Sequence, residues 1–185
     1  MRQLEPAEEQ RLIALAKKGD ADAYERLVMM FQHPIYYLCR RMTGSHQEAD
    51  DAAQETFIKA YFALAAFKDG LSFYGWIRRI AVNVCLNHIK AGKREEPLGD
   101  RDPAIAASPL NELQEKEDEQ RFLEALEALP PDQKAVLVLR VQEDQSYRDI
   151  AETLQISEGT VMSRLSRARE KLKAALAGRF ARRPA

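Results

Sequence analysis

The stretch that most limits how this chain can fold is its middle. Residues 95–118, EEPLGDRDPAIAASPLNELQEKED, hold three prolines, no sustained period and a strong excess of acids. Proline lacks the amide proton that helix and sheet interiors use, so the segment reads as a flexible linker. The 185-residue chain is therefore expected to form two small units, 1–95 and 120–185, joined by an acidic linker at 96–119. Both flanks place apolar residues at helical spacing, and glycines and alternating β-branched runs are few. The expected fold class is all-α, with two small helical domains.

The formal net charge of −1 hides a segregated pattern. The linker is acidic and would repel nucleic acid, whereas Gly159–Arg183 carries eight basic residues against the single acid Glu170. Phosphate affinity follows local positive density, so the segregation matters more than the average. No run of about 18 apolar residues is present, so no membrane span is expected. The start, MRQLEPAEEQRL, is too polar for a secretory signal, and a cytoplasmic location is expected. Cys39 and Cys85 sit in apolar helical patterns and read as core thiols. Cys85-x-x-His88 puts two potential ligands one turn apart, but His33 and His46 do not complete a metal set. With no phosphate-binding glycine loop and no nucleophile–base arrangement, neither an enzyme nor a cofactor is expected.

The C-terminal unit begins with a helix through Phe122, Leu126 and Leu129, ended by Pro130-Pro131, and Asp132 is the expected cap of the next, Gln133–Val141. Ser146–Leu176 then reads as two helices around a tight turn, with Ser146 and Ser157 as N-caps. From Ser157 the apolar positions Val161, Leu165, Ala168 and Leu172 form one stripe. Ser157, Thr160, Met162, Ser163, Arg164, Ser166, Arg167, Arg169 and Lys171 lie off it. A helix that buries one stripe and offers hydroxyls and guanidinium groups elsewhere suits a DNA major groove; the plain alternative is an amphipathic hairpin with a solvated basic face.

In the N-terminal unit, helices are expected on either side of Gly19-Asp20, with Asp20 or Asp22 as cap. Pro34 is expected to start or kink the segment Ile35–Met42, and Gly44 to stop it. Ser45-x-x-Glu48 opens Gln47–Ala66, whose buried set is Ala49, Ala53, Phe57, Ala60 and Leu64. Asp50, Asp51, Gln54 and Glu55 lie on its early turns. They either favour the helix N-terminus electrostatically or form a docking face for a basic partner. A loop, Lys68–Gly75, leads into a helix at Trp76–Lys93. Arg79, Asn83, Asn87, Lys90 and Arg94 line one stripe of that helix. Rings beside cations and amides suit single-stranded nucleic acid, because rings stack on bases and cations track phosphates. Trp76 reads as core, and Phe73 and Tyr74 as either core or stacking residues.

Three motifs, in order along the chain, resemble the extracytoplasmic-function (ECF) group of bacterial RNA polymerase sigma factors. Asp50-Asp51-x-x-Gln54-Glu55-Thr56-Phe57 is similar to the family segment that docks on the clamp helices of the polymerase largest subunit. Trp76-Ile77-Arg78-Arg79-Ile80-Ala81-x-Asn83 is similar to the segment that melts and reads the minus-ten element. Leu129-Pro130-Pro131, Ser146-Tyr147-x-x-Ile150-Ala151, Gly159-Thr160-Val161-x-Ser163-Arg164 and Arg167-Ala168-Arg169 look like the helix-turn-helix reader of the minus-thirty-five element. The resemblance implies a promoter-recognition subunit that binds core polymerase through Asp50, Asp51, Gln54, Glu55 and Phe57. It also implies that Asn83 holds a flipped base of the non-template strand, in a pocket bordered by the Lys68–Gly75 loop. Lys68, Phe73, Tyr74, Arg78, Arg79, Asn87, Lys90 and Arg94 would line the path of that strand. An anti-sigma factor is a further partner that the resemblance implies. Met162, Ser166, Asn87 and Lys90 depart from common family residues, which leaves the promoter sequence open. The alternative is a stand-alone helix-turn-helix regulator binding DNA as a dimer, which leaves the acidic helix and aromatic loop without a role.

Overall fold

The computed structural model describes residues 6–92, 122 and 124–180. The linker, Lys93, Arg94 and the C-terminal residues from 181 onward lie outside the described residues. Every regular element among the described residues is helical: α1 (Pro6–Ala16), α2 (Ala21–Thr43), α3 (His46–Ala63), α4 (Phe73–Gly92), a turn of helix α5 (residues 124–127), α6 (Pro131–Val141), α7 (Tyr147–Leu154) and α8 (Glu158–Phe180). A 3-10 turn, Leu64–Ala66, closes α3.

In the first unit α2 packs against α1, α3 and α4. Gly19, at φ 92°, ends the first helix and Asp20 caps the second, its carboxylate accepting the Ala23 amide at 3.0 Å. The second helix runs on through Pro34, so Pro34 does not start a new segment. The reason lies in the phase of the buried stripe: Ala23, Leu27, Ile35, Leu38 and Met42 face the core only if the helix continues. An interior proline costs about 3 kcal/mol, whereas each fully buried Leu or Ile contributes about 1.5–3 kcal/mol. Burial wins. Gly44 stops the helix at φ 89°, its amide bonded to the Arg40 carbonyl, and Ser45 caps α3 by accepting the Glu48 amide.

Two helix starts differ from expectation. α4 begins at Phe73, because Ser72 supplies the cap: its hydroxyl accepts the Gly75 amide at 3.2 Å and its carbonyl takes the Trp76 amide. Phe73 and Tyr74 are thus in the first helical turn. α6 begins at Pro131, with Pro130 at the cap position, and Asp132 lies inside the first turn. Proline suits that first position because its missing N–H has no intrahelical partner there anyway.

In the second unit α6, α7 and α8 close around Val136, Leu139, Ile150, Val161, Leu165 and Ala168. Ser146 and Asp149 form a reciprocal capping box at the start of α7. Gln155 makes the turn at φ 54°, and the Ser157 hydroxyl accepts the Thr160 amide at 3.2 Å to open α8. The two units touch through α6 and α7, which lie against α2 and α4.

Candidate nucleic-acid interface

The basic helix α8 buries Val161, Leu165 and Ala168 and half-buries Leu172. Met162, Ser163, Ser166, Arg167, Arg169 and Lys171 are exposed on its remaining surface. Ser157 and Thr160 bond to each other at 2.9 Å, and the Ser163 hydroxyl donates to the Thr160 carbonyl at 3.0 Å, so these hydroxyls shape the helix start. Arg164 is half-buried and tied to Asp132 at 3.0 Å, which fixes α8 against α6. Among the described residues Arg167, Arg169 and Lys171 carry no ion pair, and they leave an exposed cationic rim for phosphates and base edges.

Asn83, Asn87 and Lys90 are exposed along one face of α4, with Arg79 one turn before them. The face opposite is anchored by Ile77, Ala81, Val84 and Cys85, all buried. The preceding loop is held by an ion pair between Asp69 and Lys17 at 2.6 Å and turns at Gly70, at φ 81°, leaving Lys68 exposed. Phe73 is a correction to the expected stacking set. It is 0% exposed and its ring lies against Phe31, Phe67 and Trp76, so no base can reach it in this structure. Trp76 packs on Phe67 and Phe73 as expected of a core-facing ring. Tyr74 is half-buried against Phe31, and Arg78 lies 5.5 Å from its ring. Both reach the second unit, where Glu143 accepts from the Tyr74 hydroxyl at 2.7 Å and from Arg78 at 3.4 Å. Burial and the Glu143 carboxylate push the Tyr74 phenol well above its ordinary range.

On α3, Asp50, Asp51 and Gln54 are exposed and Glu55 is partly so. Lys59 at 2.6 Å and His88 at 2.5 Å both hold the Glu55 carboxylate, which keeps its pKa below the usual value and ties α3 to α4. Phe57 is half-buried, and its carbonyl accepts the Tyr24 hydroxyl. Two residues the sequence reading missed continue this surface: Ile58 is 57% and Phe62 79% exposed. Their signal was their phase, since Gln54, Ile58 and Phe62 recur every four residues off the stripe of Ala49, Ala53 and Ala60.

Comparison with known proteins decides the family. Sigma-70 region 2 matches residues 27–95 and Sigma-70 region 4 matches residues 119–172. The RNA polymerase sigma-H factor of Pseudomonas aeruginosa is 38% identical over 91% of this chain and 94% of its own. The chain belongs to the RNA polymerase sigma factors, in their ECF group. The ECF RNA polymerase sigma-E factor of Escherichia coli K12 is 36% identical, over 88% of this sigma factor and 91% of its own length. Two solved structures share the fold, each at a TM-score of 0.66 and 24% identity: CnrH in complex with the cytosolic domain of CnrY, covering 92% of this chain and 98% of that one, and RpoE in complex with the anti-sigma factor NepR from Bartonella quintana, covering 83% and 96%. In the sigma factor, the α4 face falls in region 2 and α8 in region 4. Among the described residues no group of His, Cys, Asp and Glu is arranged to hold a metal, and no helix is long and apolar enough to cross a membrane.

Proposed function

We propose that this sigma factor seats on core RNA polymerase through the exposed face of α3 and reads a promoter at two separated points. Asp50, Asp51, Gln54 and Glu55 meet the basic side of the polymerase contact, and Ile58 and Phe62 supply its apolar part. The exposed rim of α8, with Arg167, Arg169 and Lys171, enters the upstream element as a duplex. Asn83 on α4 takes a base flipped from the downstream non-template strand, while Arg79, Asn87, Lys90 and Arg94 follow its phosphates. Unstacking a base costs a few kcal/mol, so an exposed amide on a rigid helix beside cations suits that step. One observation carries the reading: the two units expose separate polar faces, amides with a cation on α4 and cations on α8, each opposite a buried apolar stripe. The role is binding and strand opening in the cytoplasm, without catalysis. The relatives solved with CnrY and NepR support an anti-sigma factor as its regulator. The test is transcription in vitro with core polymerase and promoter fragments of the host. Specific initiation should depend on the added chain, and initiation that stays unchanged with and without it would refute the reading.

A further inference from the structure

The loop at the head of the α4 face is held by a residue outside it. Lys17 directly follows α1, and its backbone amide still bonds back to the Ile13 carbonyl at 2.9 Å. Its ammonium lies 5.6 Å from the centre of the Phe67 ring and 2.6 Å from the Asp69 carboxylate. One cation thus grips the residues on both sides of Lys68, through a ring face and an ion pair. Phe67 is buried and packs edge-on against Phe73 and Trp76, so its ring is fixed to the start of α4. Asp69 is the second residue of a turn from Lys68 to Leu71, closed by the Leu71 amide on the Lys68 carbonyl at 3.4 Å. Gly70, at φ 81°, supplies the left-handed third position that a type II turn requires. The turn delivers Leu71, 54% exposed, beside Ser72, and both share a concave wall with Gly75, Trp76 and Arg79. Ser72, Arg79 and Asn83 are spaced 7 and 4 along the chain, which is one face of a helix. Lys17 therefore fixes a non-helical flank of that face.

We propose that Lys17 is a positioning residue for base selection: through Phe67 and Asp69 it sets where Leu71 and Ser72 stand against the base that α4 receives. This rests on the assignment of α4 to the downstream strand. The carboxylate end of the pair is 79% exposed, and an exposed pair holds its partners by a factor of about five at most. A contact shifts an equilibrium by no more than its own differential strength, so the expected effect is a change of base preference and not a loss of activity. The test uses the full chain with core polymerase and host promoter fragments randomised over the downstream element, and sequences the fragments that open. In K17Q, base preference at one or two adjacent positions should flatten about threefold, while the upstream preference and the yield of open complexes stay close to the parent's. D69N should flatten the same positions. The two variants change the local charge in opposite directions, so electrostatics alone moves them in opposite senses, whereas release of the loop moves both alike. K17Q/D69N should add nothing to either single variant, and K17R, which keeps the cation, should restore the parent preference. Hydrogen exchange of the free chain gives a reading independent of the promoter: amides 67–72 should exchange faster in K17Q and in D69N, and those of α8 should not. Unchanged exchange in the loop overturns the proposal, as does an unchanged base preference, an equal loss at every promoter position, or opposite shifts in the two single variants. A parent chain that selects no sequence with core polymerase counts against the function proposed above, and the exchange comparison then decides whether Lys17 holds the loop.

Discussion

Arg164 and Arg167 are three residues apart on one helix, yet their surroundings set them different tasks. Arg164 is held by Asp132 on α6, so its loss should act partly through the packing of α8. Arg167 is exposed, with no ion pair among the described residues. Arg167→Ala is expected to weaken upstream-duplex binding by about 1–3 kcal/mol where it reads a base, and to reduce the salt slope by about one where it contacts phosphate. Titrations at two salt concentrations separate these outcomes, and thermal stability should not move. Asn83→Ala should spare assembly with core polymerase and impair strand opening; undiminished permanganate reactivity at the downstream element would count against it. Ser146 has a structural task. Its hydroxyl accepts the Asp149 amide at 3.1 Å, so Ser146→Ala should cost about 1 kcal/mol in thermal unfolding. The same cap carries a pH dependence. The Ser146 hydroxyl, first, holds the Asp149 carboxyl below the usual aspartate range. Its contribution is complete above the ordinary aspartate value and fades as pH falls through the lower folded value. Asp149→Asn should flatten that acid limb of the stability curve.

At the scale of elements, the places where sequence and structure part company have physical causes. The apolar stripe of α8, and that of α3 apart from the half-buried Phe57, were legible because a helix repeats its faces in a way that local sequence displays. Pro34 was read as a start or a kink because its local penalty is visible, while the tertiary burial of Leu27, Ile35 and Leu38 that carries the helix through it is not. Phe73 was ambiguous for a related reason: a capping serine at 72 moves the ring from a loop to the first turn of α4, where Phe31 and Phe67 enclose it. The α2 account can be tested. Pro34→Ala restores a donor for the carbonyl of Met30 and removes the interior-proline penalty of about 3 kcal/mol. It also gives the unfolded chain back freedom worth about 0.4–1 kcal/mol. The net expectation is a more stable chain, by about 2 kcal/mol in chemical denaturation, with initiation unaltered. A destabilised variant would mean that Pro34 is matched to a bend that the helix needs.

The whole molecule was the least legible scale. The acidic, proline-bearing middle announced two units, and nothing in the pattern announced that they pack together. Glu143, Gln145 and Glu152 look like ordinary residues of a turn and a helix until the fold sets them beside Tyr74, Arg78 and Arg79. Lys134 is the sharpest case. At 5% exposure its ammonium donates to the Met42 carbonyl at 3.1 Å, and so meets the negative end of α2 from the other unit. A lysine is rarely so buried unless it is partnered, and the Met42 carbonyl is a partner that lies in the opposite unit. Lys134→Met keeps the length and the apolar stem of the side chain and removes the charge and the donor. Because the Met42 carbonyl lies at a helix end near a left-handed glycine, water can reach it once the units part. The loss should therefore fall on the coupling between units more than on either core. In calorimetry the parent chain should unfold in one transition and the variant in two, with region 2 and region 4 melting separately, while circular dichroism at room temperature stays the same. A single transition shifted to lower temperature would instead place Lys134 in the core of region 4 alone.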